Sequence, residues 1–376
     1  MTASIRIDQI TAWDSVFLTR FVKLQKKAQS ENPEAIYENL NDYEKFFSRQ
    51  SEFNKKNNWS LWILAINNND VVRLGCSHPI EAGPNYLGVG FFESLKSVPL
   101  EALEQIFKKC EDFANAKNLR EIRLPMQGGF FGSFRARLIS KEAAYFTEPQ
   151  TLSFYIPLWE SLGFKLSKTW CNFVVDVSKA RKNCEETLLH FYGQKSLPGL
   201  DFDHIGQKNL DQDLLRLRTL FIDSYHAFED FSLISENEFL ELYRPYGFIF
   251  KNFFCVIATH ERKDVGFVVS IPDLNPVLKF NQRWRFPLLL QKINILMYLK
   301  FFKYRMSYPY VGKKETCSSL KGFIAAAFLE SLKQLPPWTK QVSWQYIASD
   351  SPTKKMLNGE IAQPASEFGL FKKALF

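Results

Sequence analysis

Phe253-Phe-Cys-Val-Ile-Ala-Thr259, Glu261-Arg-Lys-Asp264 and Val265-Gly-Phe-Val-Val-Ser-Ile271 decide the fold. Two short apolar, β-branched runs joined by a polar turn read as a hairpin. The same pattern occurs earlier: Ser60-Leu-Trp-Ile-Leu-Ala-Ile66, an Asn67-Asn-Asn-Asp70 turn, then Val71-Val-Arg-Leu-Gly-Cys-Ser77. After each hairpin come a further strand, a helix of several turns and another strand. The chain therefore reads as one α+β lobe stated twice.

Length agrees with duplication. A chain of 376 residues exceeds what one core usually supports, and two domains of about 180 residues are the natural division. The expected boundaries are a first lobe over 1–182, a polar linker over 183–209 carrying Pro198, Gly199 and Gly206, and a second lobe over 210–376. With 46% hydrophobic and 15% aromatic residues, most of the chain is expected to fold into packed cores. The six cysteines (Cys76, Cys110, Cys171, Cys184, Cys255, Cys317) form no C-x-x-C pair and have no histidine at ligand spacing, so they read as reduced core thiols. The first residues lack an apolar signal-peptide core, and nowhere do 18 consecutive apolar residues occur. A cytoplasmic protein is the expectation.

Elsewhere the pattern supplies the rest of each lobe. Tyr86 to Glu93 reads as a strand, and Val98 to Asn118 as a helix opened by Pro99, with Leu103, Ile106, Phe107, Cys110 and Phe113 as its buried stripe. A strand over Arg120–Pro125, a loop over Gln127–Gly132, a helix from Tyr155 stopped by Gly163 and a strand to Val177 complete the first lobe. In the second, helices are expected over Leu210–Phe228 and from Ser235, where Glu238 three residues on resembles a capping box. Strand Met306–Val311, helix Leu320–Leu332 and strand Lys340–Ile347 follow.

Net charge is +8, and it is concentrated. From Leu274 to Lys314 there is no Asp or Glu, while Lys279, Arg283, Arg285, Lys292, Lys300, Lys303, Arg305, Lys313 and Lys314 all lie there. Arg283 to Arg305 mixes these cations with aromatic and aliphatic residues over about six helical turns. As an amphipathic helix it could cover an acyl channel or lie on an anionic membrane; as a core helix it would snorkel its lysines. The many Leu and Ile residues argue against nucleic acid. Peripheral membrane contact through 279–306, at the inner face, is the partner expectation.

Four stretches, taken in order, carry a family resemblance: Gly90-Phe-Phe-Glu93; Phe221 through Phe239; Asp264-Val-Gly-Phe through Ile271-Pro-Asp-Leu-Asn275; and Ser343-Trp344. Their order and spacing resemble the GNAT acyltransferase superfamily in its tandem form, and more narrowly a bacterial family of two-lobed GNAT-like proteins. The resemblance implies an α+β fold of two GNAT-like lobes, each a mixed, mostly antiparallel sheet flanked by helices. It also implies acyl-CoA or acetyl-CoA as co-substrate and no metal. A central strand splays from its neighbour, unpaired backbone N–H groups bond the pantetheine arm, and the next helix N-terminus receives the pyrophosphate.

The first lobe reads Ser-Leu-Lys-Ser-Val-Pro after Glu93, without the glycine-rich pyrophosphate loop, and is expected to be structural or substrate-binding. In the second lobe the corresponding loop is Val311-Gly-Lys-Lys-Glu-Thr-Cys-Ser-Ser-Leu-Lys-Gly322. Gly312, Ser318, Ser319 and Gly322 permit close backbone approach, Lys313, Lys314 and Lys321 supply charge, and Val311 ends the strand. The competing reading is a solvated loop capping a core helix. Where the family tends to show asparagine and tryptophan on the first helix of this lobe, the chain has Ile222, Tyr225 and Phe228.

Catalytic candidates follow from the same strand order. Asp273 could hold or deprotonate an amine and Asn275 orient it, or the two form an Asx turn ending a strand. His226, with Glu229 one helical turn on, has the intrinsic pKa of a general base, or is a surface histidine. His78, His190, His204 and His260 have no ligand at metal spacing, and no Gly-x-Ser-x-Gly elbow or complete dinucleotide fingerprint occurs. The function expected is acyl-CoA-dependent transfer of an acyl group to a primary amine. A lipidic amine is one candidate acceptor, since a similar architecture is associated with bacterial ceramide synthesis. A non-catalytic binding protein with a degenerate CoA site is the alternative, and peptidyl transfer from aminoacyl-tRNA a third.

Overall fold

The computed structural model describes residues 4–38, 40–81, 84–206, 209–247, 255–301, 305–317, 319–349 and 364–375, without the side chains of 42 and 45. In chain order the elements are β1 Ile5–Ile10, α1 Ser15–Ala28, α2 Leu40–Phe47, α3 Glu52–Lys56, β2 Asn57–Ile66, β3 Asn69–Pro79, β4 Tyr86–Ser94, α4 Leu100–Ala116, β5 Glu121–Leu124, β6 Met126–Gln127, β7 Ser133–Phe134, β8 Ala136–Ser140, α5 Tyr155–Ser161 and β9 Lys165–Asp176. Then follow α6 Val177–Tyr192, β10 Leu200–His204, α7 Leu210–Tyr225, α8 Glu236–Tyr243, β11 Val256–His260, β12 Lys263–Pro272, α9 Asn275–Trp284, α10 Leu288–Phe301, β13 Met306–Lys313, α11 Phe323–Lys333, β14 Gln341–Ala348 and β15 Pro364–Ala374.

Both hairpins form: β2 pairs with β3 and β11 with β12, antiparallel. Their turns need left-handed backbone, which Asn67 and Asn68 supply in the first at φ +49° and +61°, and Glu261 and Arg262 in the second at +50° and +63°. Each half then adds a strand, a helix and a parallel neighbour. In the first, β4 pairs with β5 over Tyr86–Gly88; in the second, β13 pairs with β14 over Met306–Tyr308. The right-handed crossover rule for parallel strands accounts for a helix at both places.

Apart from β6 and β7, which pair with each other, the strands join in one sheet, ordered β1-β2-β3-β4-β5-β15-β9-β14-β13-β12-β11-β10, with β8 alongside β15. The halves exchange strands to achieve this. β15, last in the chain, pairs with β5 of the first half, and β9 pairs with both β15 and β14. Residues 364–374, assigned by sequence to the second lobe, thus complete the sheet of the first.

The segment 183–209 is not a polar linker: it runs through the second part of α6 and through β10, which pairs with β11. Ala180, Cys184 and Leu188 form a buried stripe on α6 against Ala326 and Ala327 of α11. A stripe of one residue per turn on an otherwise charged helix reads as polar when averaged. The basic stretch is likewise two helices, α9 and α10, broken at Arg285 (φ +52°) and Pro287.

Helices cover both faces of the sheet. In the first half α4 and α5 pack on one face around Phe92, Phe107 and Trp159, and α1 and α2 on the other around Phe21, Phe47 and Phe91. A further cluster joins the halves: Phe130, Phe134 and Trp170 pack with Phe221, Phe239 and Phe267 of the second half. Burying rings of this size contributes roughly 1.5–3 kcal/mol each. All six cysteines are free and five are buried.

Candidate functional site

Three paired residues hold the parallel strands together in each half, and beyond them the strands part. What fills the two gaps differs. In the second half, Thr147 from the first half donates to Gln345 Oε1 on β14 and lies 3.3 Å from Ser307 Oγ on β13, and Tyr346 donates to the Thr147 carbonyl. Tyr225 donates to the Val311 carbonyl at 2.7 Å, and the Tyr310 ring packs against Phe130, Phe221 and Tyr225. The second splay is therefore plugged by side chains, two of them, Thr147 and Phe130, lent by the first half.

The loop after β13 is also committed. The amides of Cys317, Leu320, Lys321 and Phe323 donate to carbonyls within the loop, which holds a short 3-10 turn. Lys314 pairs with Asp223 at 3.1 Å and Lys313 donates to the Leu320 carbonyl. Gly322 caps α11 at φ +68°, and a β-carbon there would meet Phe191 at 3.3 Å, so the helix N-terminus is roofed by α6. Ser318 lies outside the described residues. Val311, Gly312, Lys313, Lys314, Ser319, Lys321 and Gly322 line none of the described cavities. Four amides of the expected cofactor loop, those of Cys317, Leu320, Lys321 and Phe323, are thus engaged within it, whereas a phosphate is held by free ones.

The first splay opens into a cavity of about 260 Å³. It is lined by Gly90, Phe91, Phe92 and Glu93 of β4, by Arg73 of β3, by Tyr155 and Trp159 of α5, and by Glu148 and Asn275 from across the junction. β4 is irregular at this point. Its register against β3 slips between Arg73 and Gly75, and Phe91 sits at φ +55°. At Gly90 the backbone of Gln127 crosses so closely that a β-carbon would lie 2.6 Å from its Cα, which only glycine allows.

Glu93 is the central group. Gln29 donates to both of its oxygens at 2.9 and 3.1 Å, and Tyr155 donates to Oε2 at 2.6 Å. Burial pushes its carboxyl up to about 7, against the opposing pull of Arg73, Tyr155 and Gln29. Arg73 lies beneath, donating to the Tyr43 hydroxyl at 2.6 Å and to Glu38 at 3.1 Å, 4.0 Å from Glu93. Tyr155 also accepts from the Ser94 amide at 3.0 Å. Burial and the adjacent Glu93 keep its phenol well above its ordinary range. Glu148 is raised too, chiefly by burial.

A second cavity, about 310 Å³, lies between the halves beside Glu238, whose carboxyl burial lifts to about 7. The two differ in how their polar groups are satisfied. Arg73 Nε, Arg135 Nε, Trp159 Nε1 and Asn275 Oδ1 are buried without a hydrogen-bond partner, and all four residues line the smaller cavity. None of the residues lining the larger one has such an atom. Orphaned buried polar atoms cost stability unless something completes them, so the smaller cavity is the candidate site.

The expected catalytic residues are dispersed around it. Asn275 lines the cavity, its Nδ2 donating to the Ala144 carbonyl at 2.7 Å. Asp273 is buried behind it, held by Arg305 at 2.7 Å and by the Phe146 amide at 3.0 Å, and it accepts from the Asn275 amide in the Asx turn. It is therefore an ion-pair partner, not a free base. His226 is exposed at the end of α7 with Nδ1 3.2 Å from the Ile222 carbonyl and lines no described cavity. Glu229 binds Arg123 and Lys168 instead. Sequence reasoning missed Glu93, Tyr155 and Arg73 as a unit, although a glutamate ending an apolar strand and an arginine inside one were the available signals.

Among the described residues, no group of three or more His, Cys, Asp or Glu is placed to hold a metal ion. No protein-family description matches the chain, and no curated protein does. Solved structures do. A tandem GNAT protein from the clavulanic acid biosynthesis pathway superposes with a TM-score of 0.54 at 10% identity, covering 99% of this chain and 98% of that one. A GCN5-related N-acetyltransferase from Anabaena variabilis gives 0.52 at 7% identity, over 98% of this chain and 72% of that. A glucosamine N-acetyltransferase region of a fungal multi-domain β-N-acetylglucosaminidase gives 0.55 at 8% identity, over 99% of this chain and 38% of that. The doubled α+β halves, each with its parted parallel strands, accordingly have the tandem GNAT fold.

Proposed function

We propose that this protein is an acyl-CoA-dependent N-acyltransferase whose reaction centre is the cavity at the first splay. One observation carries the reading: a buried carboxyl group, lifted by burial to about 7 and hydrogen-bonded to a phenol, on the part of β4 that runs on alone after its pairing with β5 ends at Gly88. Amine acylation needs an ammonium proton removed and a leaving sulfur protonated. Glu93, whose carboxyl burial lifts to about 7, takes the proton. Tyr155 gives a proton to the sulfur and recovers one from Glu93, and the second proton that the nitrogen loses on becoming an amide passes to solvent. The thioester supplies the activated acyl group. The stretch Val89–Glu93 of β4, paired with β3 but not with β5, turns an open edge toward the cavity that can orient it. Phe91, Phe92 and Trp159 give the same cavity an apolar wall.

A peripheral membrane role and a lipidic amine acceptor belong to this proposal. On α9 and α10, Trp284, Leu288, Leu289, Ile293, Leu296, Met297 and Phe301 are exposed, Leu289 by 70%, while only Ile295 and Leu299 of α10 are buried. Among the described residues no helix is long and apolar enough to cross a membrane, so such a surface suits lying on one. The surrounding cations with no intervening acid would repel a second copy and favour anionic lipid. The hairpin adjoins the cavity: Asn275 opens α9, Lys279 pairs with Glu34 at 2.9 Å, and Gln282 donates to the Tyr37 carbonyl beside Ile36 and Glu38.

A binding protein without catalysis is the second reading. It is favoured by the absence of a glycine loop after Glu93 and by Glu101 in the first turn of α4, where a negative charge opposes a pyrophosphate. Thiol release from acetyl-CoA and palmitoyl-CoA, measured over a panel of primary amines, decides. Release that rises with pH through about 7 and disappears in Glu93→Gln supports the transferase. Thermal stabilisation by acyl-CoA with no thiol release from any amine would leave the binding reading.

A further inference from the structure

Three arginines are buried, and two have carboxylate partners. Arg73 binds Glu38, and Arg123 binds Glu121, Glu229 and Asp230. Arg135 has no hydrogen bond or ion pair among the described residues, although it is only 8% exposed. Its guanidinium is instead enclosed by the rings of Phe134, Trp170 and Tyr346, at 3.7, 4.5 and 4.2 Å from their centroids. Its backbone is held at φ +146°, a setting that side chains other than glycine rarely take. The side chain lines the candidate cavity.

Ring faces attract a cation but leave its five N–H donors unbonded. Nearby acids are already committed. Asp230 is bound to Arg123 and Lys168, and Glu148 to Asn172 and Gln345. Burial holds the guanidinium below its ordinary pKa, as expected of a buried cation without a counter-charge. On the same cavity, Asn275 Oδ1 is a buried acceptor with no donor. One orphaned cation and one orphaned acceptor, together with Glu93, describe a ligand that carries an oxyanion and an N–H group.

We infer that Arg135 receives an oxyanion of the acceptor, so that the acceptor is a zwitterionic amine whose carboxylate or phosphate pairs with Arg135 while its nitrogen faces Asn275 and Glu93. Guanidinium suits either anion because its planar fork donates to two oxygens at once. The assignment of the amine rests on the transferase reading; the anion site does not. A carboxylate would come from an amino acid, a phosphate from an aminoalkyl phosphate such as a lipid headgroup.

Thermal shift and calorimetric titration of the full chain, without acyl donor, test it. Glycine and O-phosphoethanolamine are compared with glycinamide and ethanolamine, at matched ionic strength in chloride, and CoA is titrated separately. Saturable stabilisation by glycine or by O-phosphoethanolamine, weakened about tenfold or more for its uncharged counterpart and in Arg135→Gln, is expected; which of the two binds identifies the anion. Arg135→Met should equal or exceed the unmodified chain in melting temperature without ligand, because it removes an unpaired buried charge. A clear fall would make Arg135 a strut among the rings and overturn the inference. So would equal binding of charged and uncharged probes, binding by none of them, or stabilisation by CoA alone. Should the anion-dependent binding hold while no amine is acylated, the transferase proposal fails and the anion site stands.

Discussion

Glu93→Gln separates a base from a structural carboxylate, because the two roles move stability in opposite directions. In the folded chain burial lifts this carboxyl from its ordinary 4.5 to about 7. The unfolded chain therefore releases the proton first as pH rises, and folding stability falls between those two values. At about 1.4 kcal/mol for each unit, the effect reaches about 3 kcal/mol above pH 7. Glutamine stands in for the protonated acid, so its stability relative to the natural chain should be near zero at pH 4 and rise to about 3 kcal/mol in its favour at pH 8. Urea unfolding of both chains at each pH measures this, since the difference cancels every other titrating group. The same substitution should cost about 10²- to 10⁴-fold in amine acylation. A variant less stable than the natural chain at pH 8 would mean that ionised Glu93 is needed as a partner for Arg73. The assignment of a neutral-pH base would then be refuted.

Tyr155→Phe removes a donor that favours ionised Glu93 and an acceptor for the Ser94 amide; the midpoint of the pH–rate profile should move upward, with stability lower by about 1–3 kcal/mol. An unchanged midpoint would separate the phenol from the carboxylate. Gly90→Ala places a β-carbon 2.6 Å from the Gln127 Cα, and the overpacking should cost about 1–3 kcal/mol, read as a lowered melting temperature. Leu289→Lys combined with Met297→Lys should leave stability within about 0.5 kcal/mol but reduce co-sedimentation with vesicles rich in anionic lipid. Retained binding would refute the docking surface. Replacing Lys313 and Lys321 by Ala should leave the thermal response to acyl-CoA unchanged, because the loop they belong to is closed.

Local pattern was enough for the elements. Hairpins, the strand–helix–strand that follows each, the Ser235 cap that accepts from the Glu238 amide at 3.2 Å, and the buried stripe of α4 all depend on residues close together in sequence. Period-two and period-3.6 burial can be read there directly. Where the pattern was diluted it misled: α6 buries only Ala180, Cys184 and Leu188, and α10 is apolar on nearly every side, so neither offered a clear amphipathic face.

By itself the sequence determined a doubled α+β fold and a cationic, apolar segment in its second half, and the family resemblance added a splayed central strand. Tertiary structure alone decided which gap stays open. Thr147 and Phe130, contributed by the first half, close the second splay from more than 150 residues away in sequence. The first remains a cavity, where β4 carries Glu93 and α5 brings Tyr155 to it. It also decided that Arg135 would be buried without an acid to meet it. Pairing of charges, like the filling of a gap, depends on which distant side chains arrive there. No periodicity along the chain encodes that, because the strand exchange through β9 and β15 sets it.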